Sequence, residues 1–359
     1  MNKILFAVFI FLVFAKFPVI AQTDKEYTNE IKLATTAFIN TLTPIQKRNT
    51  LLSFNDTARV KWNNLPVGLR ARAGISIGNM SIEQRKLLHR ILSVSLSSQG
   101  YLKATSIMHL DNLLNTYYDS LYYSKAINDT MYKMVKELQW SHRNYFFAIF
   151  GEPGNASWGF KLEGHHLSIN FSFIGDKLLV TPLFVGTDPA EYTINEYAGW
   201  RVLGQEEDLG IKLIHLLSAD KQKKAIISND VPGDIITGAE SGKRLLDYQG
   251  IPASQMTAYQ KEVLKYMIRE FVFNLEYGKA MEEYNKIINA GVDKIYFAWI
   301  GEMEESKAHY YVLNGPTFII EFDNAGFGKN ANHIHAIWRE KGKEFGEDVL
   351  KKHYQSEKH

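Results

Sequence analysis

A chain of 359 residues that is 45% hydrophobic, 13% aromatic and 22% charged can bury a sizeable core, which excludes both a disordered chain and a disulfide-stapled miniprotein. Cysteine is absent, so thiolate metal sites, cysteine nucleophiles and a lipidated cysteine anchor are excluded together, and any metal must be held by His, Asp or Glu. The formal net charge is +2; setting aside Lys3 and Lys16 of the leader-like start leaves a neutral chain, with no electrostatic footprint for nucleic acid or an anionic membrane.

Residues 1–21 read as a secretory leader. Lys3 supplies the charged start, Ile4 to Phe14 is an uninterrupted apolar run, and Val19-Ile20-Ala21 offers a cleavage site before Gln22. That run is about half of the ~20 apolar residues a spanning helix needs, which predicts a soluble product in a periplasm or outside the cell, without a membrane anchor. Residues 22–359 then form a single large domain.

The body of this domain repeats itself. Gly74-Ile75, Met80-Ser81, Gln84 and Leu88 recur at an offset of 176 as Gly250-Ile251, Met256-Thr257, Gln260 and Leu264. Phe147-Ala148 through Gly151-Glu152 recurs at an offset of 150 as Phe297-Ala298 through Gly301-Glu302, and Gly164, Ile169 and Phe171 match Gly315, Ile320 and Phe322 one residue further on. Thr43 with Gln46, and Ser218 with Gln222, open two further polar-capped helices. The first repeat spans about 36–175 and carries a helical insert from about Thr105 to Arg143, and the second spans about 212–325. A strand from Lys177 to Val185 and a helix from Gly204 to Leu217 follow the first repeat. The tail gives a strand from His333 to Trp338 and a helix from Gly346 to Tyr354. Helices running ahead of strands, twice over, predict an α+β fold of pseudo-twofold helix-helix-strand units around a mostly antiparallel sheet.

Strand alternation sorts the candidate site. From Gly164 onward it places His165, Leu167, Ile169 and Phe171 on one face and His166, Ser168, Asn170 and Ser172 on the other. In the matching strand Phe318, Ile320 and Phe322 face inward, while Thr317, Glu321 and Asp323 share the polar side. In the tail strand His333, His335, Ile337 and Arg339 point one way, with the two imidazoles roughly 7 Å apart along the backbone. His-x-His on a strand presents two neutral nitrogens to one ion. With His166 as third ligand and His165 in reserve, the pattern predicts a divalent-metal centre, zinc first among the candidates, with a position open to water. Without an ion the same groups form an acid–base cluster.

The histidines have no counterparts at the matching offset, which places the site between the repeats. Glu321 is the expected base, Glu163 a further catalytic carboxylate sharing parity with His165, and Arg339 the holder of an anionic group or oxyanion. Arg201, Trp158 and Asp323 are the candidates for substrate binding. Gly74-Ile75-Ser76-Ile77-Gly78 matches a nucleophile elbow in letters, but no buried strand precedes it and Pro252 replaces Ser76 in the second repeat. Phosphate loops and a zincin helix are absent from the sequence. The leading expectation is an exported hydrolase acting on a small molecule or polysaccharide. The alternatives are a secreted module that captures carbohydrate or another surface ligand, and a metal-free serine hydrolase using Ser76.

Trp158-Gly159-Phe160, Glu163-Gly164-His165-His166-Leu167-Ser168-Ile169-Asn170-Phe171, Thr181-Pro182, Asn332-His333-Ile334-His335, Trp338-Arg339 and Phe345-Gly346-Glu347-Asp348 together resemble a large family of exported, mostly bacterial proteins catalogued as a domain of unknown function. The resemblance covers nearly all of the chain after the leader and implies one recurrent architecture. It implies no activity.

Overall fold

The computed structural model describes residues 24–239, 245, 247–326 and 331–346; the leader and the tail helix expected beyond Gly346 lie outside them. Three helix starts are set by reciprocal capping, in which a hydroxyl accepts from a backbone N–H and a glutamine three residues on returns the bond: Thr43 with Gln46, Ser81 with Gln84, and Thr257 with Gln260. Ser218 behaves otherwise. A helix does start after it, but its hydroxyl makes no cap bond, and the Gln222 amide donates to the Ile214 carbonyl instead.

The helices are α1 (Asp24–Asn40), α2 (Pro44–Thr50), α3 (Ile82–Ser95), α4 (Ser98–Tyr123), α5 (Asp129–Glu137), α6 (Gly204–Leu216), α7 (Ala219–Ala225), α8 (Ala258–Val272) and α9 (Tyr277–Asn289). The helical stretch expected from about Thr105 to Arg143 covers most of α4 and all of α5. None of the described helices is long and apolar enough to cross a membrane.

The strands are β1 (Leu51–Leu52), β2 (Ile75–Ser76), β3 (Phe146–Phe150), β4 (Ser157–Gly164), β5 (Leu167–Ile174), β6 (Lys177–Leu179), β7 (Leu183–Thr187), β8 (Ile226–Ser228), β9 (Ile251–Pro252), β10 (Tyr296–Gly301), β11 (His309–Asn314), β12 (Phe318–Asn324) and β13 (Ile334–Glu340). They form one mostly antiparallel sheet in the order β1-β3-β4-β5-β7-β13-β12-β11-β10-β8, so the fold is α+β. The strand expected over 177–185 is broken in two. Pro182 has no N–H for a ladder, and its carbonyl accepts from the Asn170 side chain.

The sheet path has the same neighbours from either end. β1 lies parallel to β3 as β8 does to β10, and β2 lies antiparallel to β3 as β9 does to β10. Gly74 and Gly250 enter these junctions at φ +99 and +88, where a Cβ would sit 2.3 Å from the Phe147 carbonyl oxygen and 2.2 Å from that of Phe297. Only glycine fits both the left-handed backbone and the close approach.

One sheet face carries the main core under the helices, built from Phe147, Phe160, Leu167, Ile169, Phe171, Phe297, Ile320 and Phe322 with helical residues such as Leu88, Ile91 and Leu264. The opposite face, which alternation marks as polar, is buried as well, beneath irregular segments around 54–72 and 229–239. Trp62 and Ile235 pack there on Phe184, Ile337 and Phe345. Its polar side chains therefore need internal partners.

Candidate metal centre

The histidines meet where the middle strands of the sheet end. Gly164 pairs with Leu167 across the β4–β5 hairpin, so His165 and His166 are the two residues of its loop, and His166 takes φ +60. Strand parity therefore does not govern them: alternation begins at Leu167, and the turn aims His166. β7 and β13 are neighbours at the centre of the sheet, which brings Gly186 opposite His335. The Gly186 N–H donates to the His166 carbonyl at 2.7 Å, pinning the hairpin loop beside the tail strand.

Three ring nitrogens converge there. His166 Nε2 lies 2.7 Å from His333 Nε2, which lies 3.1 Å from His335 Nε2. The donor atoms of all three are within 4.8 Å of one another. His335 Nδ1 stands 2.7 Å from Asp234 Oδ1, so Nδ1 carries a proton towards the carboxylate and, in the neutral ring, Nε2 presents a lone pair. A single proton on His333 Nε2 cannot make two good hydrogen bonds, so neutral rings in this arrangement leave lone pairs facing one another. A central cation satisfies all of them. Tetrahedral coordination at 2.0–2.1 Å sets nitrogens about 3.3 Å apart, close to the observed spacing.

Burial and neighbouring charge act differently on the three rings. Burial first, and the neighbouring imidazoles second, hold His166 and His333 well below the ordinary histidine value, so both are neutral near pH 7. For His335 burial acts downward, but the hydrogen bond and charge of Asp234, with Asp323 and Asp188 behind it, outweigh burial and raise its pKa. A second group lies alongside. His165 Nδ1 meets Asp111 Oδ1 at 2.7 Å, the Tyr145 hydroxyl lies 3.0 Å from Asp111 Oδ2, and the His165 and His166 rings stack with centroids 3.6 Å apart.

The centre opens on a cleft of about 310 Å³ lined by Leu114, Tyr117, Tyr118, Asp188, Tyr192 and His333 among others, without a lysine or arginine among its described lining residues. Asp188 has no hydrogen-bond or ion-pair partner among the described residues, and burial pushes its carboxyl up to about 6. Asp323, opposite His335 on β12, accepts from the Ala325 N–H through Oδ2, leaves Oδ1 without a partner, and is pushed up to about 7 by burial.

Several expected residues are elsewhere. The Glu321 carboxylate is committed to the N–H groups of Ile236 and Thr237, the Thr237 hydroxyl and the Tyr310 hydroxyl, so it anchors the 229–239 segment and has no lone pair left for catalysis. Arg339 forks onto both oxygens of Glu344 and donates to the Thr237 carbonyl, away from the histidines. Glu163 is buried against Lys161 at 3.0 Å and Arg72 at 3.8 Å. Trp158 is in the core, stacked on Phe173 with centroids 4.1 Å apart, and cannot touch substrate. Arg201 holds Glu207, Asp208 and Glu305 at the edge of an adjoining depression that shares Thr193 and Asn332 with the cleft. Ser76 is buried at the start of a short 3-10 turn, and no imidazole reaches its hydroxyl among the described residues. Pro252 occupies the same place against β10, so the segment is a structural entry and not a nucleophile elbow.

Asp111, Asp188 and Asp234 escaped sequence reasoning. Asp111 had a signal, because it shares a face of α4 with Ile107, Leu114 and Tyr118 at helical spacing, a lone acid in an otherwise apolar stripe.

Fold and cluster together define an α+β protein with a three-imidazole centre at the mouth of a tyrosine-lined cleft. The chain belongs to the family described as "Protein of unknown function (DUF3500)", whose model matches residues 24–347. No curated protein and no solved structure matches it.

Proposed function

We propose that the protein is an exported metal-dependent hydrolase whose centre is His166, His333 and His335. The observation that carries the reading is the convergence of three Nε2 atoms, one of them on the wall of a cleft. A divalent ion, zinc first among the candidates, would supply Lewis acidity and bring the pKa of a bound water towards ~7. The chain does the rest. Asp234 fixes the His335 tautomer, as second partners of metal-binding histidines do. Asp188, which lines the same cleft as His333 and has no hydrogen-bond partner among the described residues, would serve as the base that takes a proton from water and returns it to the leaving group. Tyr117, Tyr118 and Tyr192 offer aromatic and hydroxyl contacts, and the lack of a cation in the described lining favours a neutral, hydroxyl-rich substrate such as a sugar. Those tyrosines also favour a second reading, in which the cleft captures carbohydrate without cleaving it.

The test is elemental analysis of purified protein, followed by assay of glycoside, ester and amide substrates with and without a chelator. Bound ion and chelator-sensitive turnover are expected. A folded protein that retains no divalent ion sinks the metal reading, and sugar binding without turnover selects the second. Export is tested by mass spectrometry of the secreted product, expected to begin at Gln22.

A further inference from the structure

The first triad leaves other donor atoms gathered beside it unused. Four imidazoles, of His165, His166, His333 and His335, are gathered with the carboxylates of Asp111, Asp188, Asp234 and Asp323.

Asp111, His165 and His166 form a second triad whose ligand atoms all lie within 4.8 Å of one another, and all three residues are buried, with 3%, 6% and 3% exposure. His166 belongs to both triads, and its ring stands between His165, stacked on it, and His333, in Nε2 contact.

We infer that Asp111, His165 and His166 form a second divalent-cation site, so that the centre is dinuclear, with His166 common to both sites. The inference rests on the metal reading of the first triad. An imidazole has two ring nitrogens, and His166 can serve an ion on each side once its ring proton is displaced to solvent. The second ion replaces the proton between His165 Nδ1 and Asp111 Oδ1, and Tyr145 continues to hold the other Asp111 oxygen. Oxygen and nitrogen donors together suit zinc or manganese better than a hard cation such as calcium.

The experiment is metal stoichiometry of the full chain after dialysis against Zn²⁺ and removal of loose metal, with Co²⁺ absorption as a second readout. Wild type is expected to hold two ions per chain. Asp111→Asn and His165→Gln should each hold one, His333→Ala should hold one, and His166→Ala should lose both or bind them at least tenfold more weakly. Circular dichroism and thermal melting establish that each variant is folded. Should Asp111→Asn prove unfolded, His165→Gln decides, since it leaves the Tyr145–Asp111 contact in place. One ion in wild type, unchanged in folded Asp111→Asn or His165→Gln, overturns the second site and leaves the first standing. No ion in folded wild type overturns both.

Discussion

Gly186 is the residue whose side chain the centre cannot accommodate. It sits on β7 between the His166 loop and β13, and its φ is not in the left-handed region, so an alanine there is a test of space alone. A Cβ would stand 2.7 Å from the Ile334 carbonyl oxygen, 3.0 Å from His335 Cδ2 and 3.2 Å from His166 Cδ2. Restoring ordinary contact requires roughly 0.7 Å of movement against a backbone atom of the central strand pair, together with smaller shifts of two ligand rings. Metal–ligand distances tolerate about ±0.2 Å. Gly186→Ala should therefore cost about 1–3 kcal/mol of stability through overpacking and weaken metal binding about 10–100-fold, as disturbances just outside a ligand shell do. Competition with a chromophoric chelator measures the second effect, and melting in excess chelator isolates the first. Gly159→Ala is the control, because its Cβ would meet the Phe171 carbonyl oxygen at 2.3 Å, a similar insult that touches none of the histidines. Equal metal affinity in wild type and Gly186→Ala, with the stability loss present, would refute the claim that this glycine makes room for the ligand rings.

Asp234→Asn removes the carboxylate that holds His335 Nδ1–H, and metal affinity should fall about 10–100-fold with little change in melting temperature, since the Asp234 side chain is 51% exposed. Glu321→Ala should do the reverse: it strands several buried donors, costing about 3 kcal/mol or more by urea unfolding, while metal content stays at the wild-type level. A pH effect follows from His309, which is fully buried, donates through Nδ1 to the Lys307 carbonyl, and is pushed down by burial to about 4. The unfolded chain, titrating near 6.5, takes up the extra proton between those values, so the stability is intact above pH 6.5 and is lost as pH falls towards 4. From pH 7 to pH 5 the loss from this residue is about 2 kcal/mol, and His309→Phe should flatten the unfolding profile by that amount; an unchanged profile counts against the burial argument.

The sequence carried the helix starts well, because Thr43, Ser81 and Thr257 each stand three residues before a glutamine, and a capping box is complete within four residues. His-x-His was equally legible, since His333 and His335 share a side whatever the partner strand. His166 was named on parity that the hairpin turn does not obey; it reaches the centre because the turn bends it there. Glu321, Arg339 and Glu163 were misplaced for a common reason. Alternation says which residues leave the apolar face but not what covers the other one, and here segments around 54–72 and 229–239 convert exposed-looking acids and bases into buried anchors. Asp188 and Asp234 come from irregular segments, where no periodicity reports direction.

β13 is the last of the described strands along the chain, yet it fills the middle of the sheet, between β7 and β12. Synthesis therefore delivers the two flanking groups of strands first, each ending in an unpaired edge, and joins them only when residues 334–340 arrive. Two open edges of largely apolar strands are an aggregation hazard for as long as they wait. His333 and His335 arrive with the strand that closes them. Assembly of the histidine cluster and closure of the sheet are then one event, and on the proposed metal reading an ion held by the finished centre would also clasp the seam between the two groups of strands, favouring the joined state by mass action.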